Sequence, residues 1–95
     1  GAALAAQVAR APGGMVVRTE LTRVGDELAI DSVEGGTRLA RAEVVGAEAD
    51  GRLLSFSVGC GFQHGVCLRW QNEGDPQPVV HAYRLTPEGA FRQIG

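Results

Sequence analysis

Leu21-Thr-Arg-Val-Gly-Asp-Glu-Leu-Ala-Ile-Asp-Ser-Val-Glu-Gly-Gly-Thr-Arg-Leu-Ala40 sets short β-rich runs between glycine-containing breaks. Gly25-Asp26 is the composition of a two-residue hairpin turn, because the backbone there must visit positive φ. Such a turn pairs Leu21 with Ile30 and places Leu28 and Ile30 on one face.

The theme continues in both directions. The β-rich runs are Met15–Val24, Glu27–Val33, Thr37–Ala47, Arg52–Cys60, Val66–Gln71, Val79–Leu85 and Ala90–Ile94. Each is separated from the next by a short Gly, Pro or Asp-rich break, and no segment after Pro12 has a helical period. Short connections make sequence neighbours antiparallel neighbours.

Register follows from closing each turn. Ser32 opposite Arg38 sets Ile30 against Ala40 and Leu28 against Ala42. Glu48 opposite Arg52 sets Val44 against Phe56 and Ala42 against Val58. Phe56 then meets Trp70, and Val58 meets Leu68. Asn72 opposite Pro78 puts Trp70 against Val80 and Leu68 against Ala82. One face is apolar throughout: Met15, Val17, Leu21, Leu28, Ile30, Ala40, Ala42, Val44, Leu54, Phe56, Val58, Leu68, Trp70, Val80 and Ala82. The expected fold is all-β, an up-and-down antiparallel meander of about seven strands. Its apolar face is covered by curling into a small barrel or half-barrel, or by a second copy in a homodimer. The Thr86–Gly89 turn admits a bulge, which leaves the phase of the last run open.

Residues 13–95 are expected to form this single domain. Residues 1–12 read as an Ala-rich, poorly ordered lead-in, with about two helical turns ending before Pro12 or the remnant of a signal-peptide region as the alternatives.

Composition bounds the partners. The 95 residues carry a formal net charge of −2, with 21% charged and 44% hydrophobic residues, as in a folded globular domain. All basic residues are arginine, and none cluster in sequence, so nucleic acid is not an expected partner. With abundant Ala, Gly and Val, the lack of lysine points to a GC-rich bacterial coding sequence. No stretch approaches the roughly 20 apolar residues that span a bilayer. No P-loop, GxGxxG, HExxH, GxSxG or paired CxxC occurs, so no cofactor is expected.

The same register gathers Ser55, Ser57, Arg69, Gln71, His81 and Tyr83 on the polar face, with Glu43 beside them. Arg69 suits a carboxylate, and the others supply directional hydrogen bonds. The plain alternative is a solvated outer face. In Cys60-Gly-Phe-Gln-His-Gly-Val-Cys67, a disulfide, two reduced thiols and a metal site using Cys60, His64 and Cys67, with His81 as a further candidate ligand, compete. The disulfide fits a secreted or periplasmic protein, but the expected register sends Cys60 and Cys67 to opposite faces. Phe62, between glycines at the loop tip with His64, reads as a binding contact or as a plug for a barrel end.

Three functions fit these features. The first is a non-catalytic binding domain, holding a protein partner or a small ligand, an anionic one among the candidates, through the polar face and the Phe62 loop. The second is a small barrel enzyme of isomerase or cyclase type, using His81, Tyr83 and Arg69. The third is a self-assembling structural domain.

Overall fold

The computed structural model describes residues 3–95. Its elements are β1 (Ala5–Arg10), β2 (Val16–Val24), β3 (Glu27–Glu34), β4 (Thr37–Glu43), β5 (Arg52–Val58), β6 (Gly65–Gln71), β7 (Val79–Leu85) and β8 (Phe91–Gln93). They form two antiparallel four-stranded sheets in sequential order, β1-β2-β3-β4 and β5-β6-β7-β8. Val17, Leu21, Leu28 and Ile30 from the first sheet share one buried cluster with Phe56, Val66, Leu68, Trp70, Tyr83 and Leu85 from the second. The sheets therefore pack face to face.

The all-β antiparallel reading holds, but the single seven-stranded meander does not. β4 and β5 belong to different sheets, so Val44 does not pair with Phe56, nor Ala42 with Val58. The Val44–Gly51 segment carries the chain from one sheet to the other. No barrel closes among the described residues. The apolar face expected to need a second copy is covered within the chain.

The Ala-rich stretch read as a lead-in supplies the first strand; residues 1 and 2 lie outside the described region. Tertiary pairing overrides the helical preference of alanine here. Ala5 pairs with Leu21 and Arg10 with Val16. The turn between them has Pro12 followed by Gly13 at φ 92°, with the Gly14 N–H donating to the Ala11 carbonyl at 3.0 Å, as a type II turn requires. Where β1 runs beside β5, the Gln7 side chain bridges the two edges. Its amide donates to the Phe56 carbonyl at 2.8 Å and accepts from the Val58 N–H at 3.1 Å. One side chain thus satisfies two edge groups that backbone pairing leaves open.

Leu21 pairs with Ile30 as expected. In the next hairpin, Ile30 meets Ala42 and Ser32 meets Ala40, because the turn closes with Glu34 opposite Thr37 and Leu39 then bulges out between the Ser32–Ala40 and Val33–Arg38 pairs. The faces survive, shifted by one pair. In the β5–β6 hairpin, Phe56 meets Leu68 and Val58 meets Val66, with Leu54 bulged and exposed. Leu53 packs on the core in its place.

The largest correction lies in β7. Trp70 pairs with Val79, Arg69 with Val80 and Leu68 with His81, one residue away from the expected register. That slip flips the whole strand. Tyr83 and Leu85 turn inward and are fully buried, while Val80 is 58% exposed. Burying a tyrosine and a leucine in place of a valine and an alanine gains several kcal/mol of apolar transfer. It also takes the His81 imidazole into the core. Asn72, buried at the start of the preceding loop, anchors that loop. Its side chain accepts from the Glu48 N–H at 2.8 Å and donates to the Gly46 carbonyl at 2.7 Å, tying that loop to the β4–β5 connection.

Candidate binding face

The slip in β7 divides the residues expected to form one polar face. Ser55 pairs directly with Arg69 and Ser57 with Cys67, on the outer side of the second sheet, with Gln71 further along β6. His81 and Tyr83 lie on the inner side and are 3% and 0% exposed. Among the described residues, His81 Nε2 finds no hydrogen-bond partner, and burial holds the imidazole below its ordinary value of 6.5. Burial likewise pushes the Tyr83 phenol up to about 12; its hydroxyl donates weakly to the Glu43 carbonyl at 3.4 Å. Arg69, His81 and Tyr83 therefore do not share a site.

Cys60 and Cys67 are joined by a disulfide, with Cα atoms 6.1 Å apart. The register that separated them is replaced by the Val58–Val66 pairing. Gly59 at φ 73° and Gly61 at φ 92° then turn the chain so that Cys60 meets Cys67. The bridge consumes both thiols. Among the described residues no group of three or more His, Cys, Asp or Glu could hold a metal ion.

The loop inside the bridge is anchored along its length. His64, at φ 60°, donates from Nδ1 to the Arg10 carbonyl at 2.6 Å, and its own carbonyl accepts from the Leu85 N–H at 2.9 Å. Phe62 packs closely on Gly65: a Cβ at that glycine would come within 2.6 Å of the ring. On the same side, the Arg84 guanidinium stands 5.3 Å from the Phe62 ring centre, a cation–π contact. Phe62 is thus a platform on the outer face rather than a free lid or a barrel plug.

With β7 in its true phase, the outer face of the second sheet reads in rows. Ser55, Arg69 and Val80 form one row, and Ser57, Cys67 and Ala82 the next. Ile94 joins the second row by donating from its N–H to the Ala82 carbonyl at 2.9 Å. In the third row, Gly65, Arg84 and Arg92 stand in register. Strands β5–β8 carry Arg52, Arg69, Arg84 and Arg92 and not one carboxylate. Among the described residues, none of these arginines forms an ion pair. The first sheet is different: there Asp31 is held bidentately by Arg41 at 2.7 and 2.9 Å, and Arg18 pairs with Glu20 at 2.8 Å.

The second half's carboxylates sit in loops. Asp50, Glu73 and Asp75 line a hollow of about 400 Å³ with Arg52. Glu27, Glu43 and Glu48 line another of about 270 Å³ beside the β4–β5 connection. Arg84 and Arg92 escaped the sequence reading because the phase of β7 decides which of its residues face outward. Their alternation with Val80 and Ala82 was the available signal. No known protein family, characterised protein or solved structure matches this chain.

Proposed function

We propose that this chain is a non-catalytic binding module that recognises an anionic partner through the outer face of β5–β8. The observation that carries this reading is the direct pairing of Arg84 with Arg92, on strands that hold four arginines and no acid. Like charges placed opposite each other across a ladder cost free energy. An anion spanning both relieves that cost and gains charge-assisted hydrogen bonds. Exposed Val80 and Ile94 on the same face add apolar contact, the mixture by which protein surfaces recognise partners. The enzymatic alternative loses its proton-transfer groups, since His81 and Tyr83 are sealed in the core away from Arg69. The Cys60–Cys67 bridge suits an oxidising compartment, and we place the module in a secreted or periplasmic setting.

The test is binding of poly-L-glutamate and of poly-L-lysine to the parent and to Arg69→Leu. The parent is expected to bind only the acidic polymer, with affinity falling as salt rises. Arg69→Leu is expected to bind more weakly while melting at the parent's temperature, because an exposed arginine contributes little to folding. Equal binding of both polymers, or equal binding by both proteins, overturns the reading.

A further inference from the structure

Resting on that reading, we infer that the anionic partner is an extended acidic peptide segment, with two carboxylates four residues apart and an apolar residue midway. The spacing of the rows sets this register. Arg69 lies in the row of Val80, and Arg84 lies four residues further along β7, about 13 Å away at the strand rise. An extended peptide laid along the strands turns alternate side chains toward the sheet at the same rise. Its first carboxylate meets Arg84 and Arg92 together, and its fifth residue meets Arg69. The residue between them falls over Ala82 and Ile94, the apolar row.

The Arg84–Arg92 end is the better built of the two. Arg84 is braced from beneath by Phe62, and Phe62 rests on Gly65, where no side chain can intervene. The Phe62 loop is closed by the Cys60–Cys67 bridge and pinned by His64 to Arg10 and Leu85. The disulfide therefore orders the platform that orients Arg84, and pre-organisation of this kind lowers the cost of binding. Planar guanidinium groups suit the planar, bidentate carboxylate.

The experiment is fluorescence anisotropy with a labelled Glu-Thr-Val-Thr-Glu peptide and a control, Glu-Thr-Val-Glu-Thr, in which the second acid sits on the wrong face. The parent is expected to bind the first more tightly. Arg84→Gln and Arg92→Gln are each expected to weaken it by up to about fivefold, the upper end for single exposed charge contacts. Reduction by a dithiol, with folding confirmed by circular dichroism, is expected to weaken it as Arg84→Gln does. Phe62→Leu in the oxidised protein checks the brace independently if the reduced form unfolds, and is expected to weaken the peptide in the same way. If Arg69→Leu weakens binding but the Arg84, Arg92 and Phe62 variants do not, this subsite is wrong while the arginine face stands. If no arginine variant matters, or the parent does not bind the peptide, both readings fall. Equal binding of the two peptides overturns the spacing, and a sulfated polysaccharide that outcompetes the peptide overturns its chemical class.

Discussion

Truncating Tyr83 and Val80 to alanine separates the two phases of β7 by a wide margin. Tyr83 is fully buried against Phe91, with ring centres 6.1 Å apart in an edge-to-face arrangement. Removing its ring strips out about 150–250 Å² of buried surface, worth about 4–6 kcal/mol at the usual area coefficient. Measured aromatic truncations cluster near 3–5 kcal/mol, and the long 3.4 Å hydroxyl contact adds little. A domain of this length has a total stability of roughly 5–14 kcal/mol. At about 4–8 °C per kcal/mol, a loss of about 3–5 kcal/mol in Tyr83→Ala should lower the melting temperature by roughly 12–40 °C. Val80, 58% exposed on the opposite face, should change stability by no more than about 0.5 kcal/mol on truncation. Thermal and urea unfolding followed by circular dichroism measure both. A Val80→Ala variant as unstable as Tyr83→Ala would refute the inward phase of Tyr83 and restore the register expected from the turns.

Other outcomes follow from the same contacts. Asn72→Ala leaves the Glu48 N–H and the Gly46 carbonyl without their partner and should cost about 2–3 kcal/mol in urea unfolding. Replacing Cys60 and Cys67 together by alanine should cost about 2.5 kcal/mol from the entropy of the short closed loop, while leaving the circular dichroism spectrum unchanged. Intact mass after alkylation without reductant should find no free thiol. His81 is buried neutral, so its contribution is complete above pH 6.5 and shrinks as pH falls, because the unfolded chain takes up a proton that the folded one resists. His81→Leu should flatten the loss of stability in that window. Asp31 adds a second acid dependence, complete well above its unfolded value of 3.8 and lost as pH falls through that value toward the lower folded one. Burial alone would raise the Asp31 carboxyl, but the Arg41 hydrogen bonds and charge, with the Thr22 hydroxyl, bring it below its ordinary value.

The sequence was most legible where a turn admits one geometry. Gly25-Asp26 allows a two-residue hairpin, and Leu21 does pair with Ile30. It was less legible where loop closure and bulges combine. Closing the turn with Glu34 opposite Thr37 and then bulging Leu39 together shift the β3–β4 hairpin by one pair. Closing the Cys60–Cys67 loop with Val58 opposite Val66 shifts the β5–β6 hairpin by one pair before Leu54 bulges. The Val44–Gly51 segment resembles a hairpin locally, and only the need to cover two apolar sheet faces makes it a crossover. In β7, Val79-Val-His-Ala-Tyr-Arg-Leu85 has a workable apolar set in either phase. Treating His81 and Tyr83 as polar chose the wrong one, since a tyrosine buries more apolar surface than Val80 or Ala82 exposes. Half of the candidate face was visible all the same. Ser55, Ser57, Arg69 and Gln71 share the outer side as expected, whereas Arg84 and Arg92 became visible only with β7 placed.

The register of β7 against β6 decides both the core and the arginine face, and nuclear Overhauser contacts across the two strands read it directly. Cross-strand contacts of Leu68 with His81 and of Arg69 with Val80 are predicted, together with contact between Arg84 and Arg92 on the neighbouring ladder. Contacts of Leu68 with Ala82 and of Arg69 with His81 would contradict the account, returning His81 and Tyr83 to the surface and dismantling the face assigned to the anionic partner.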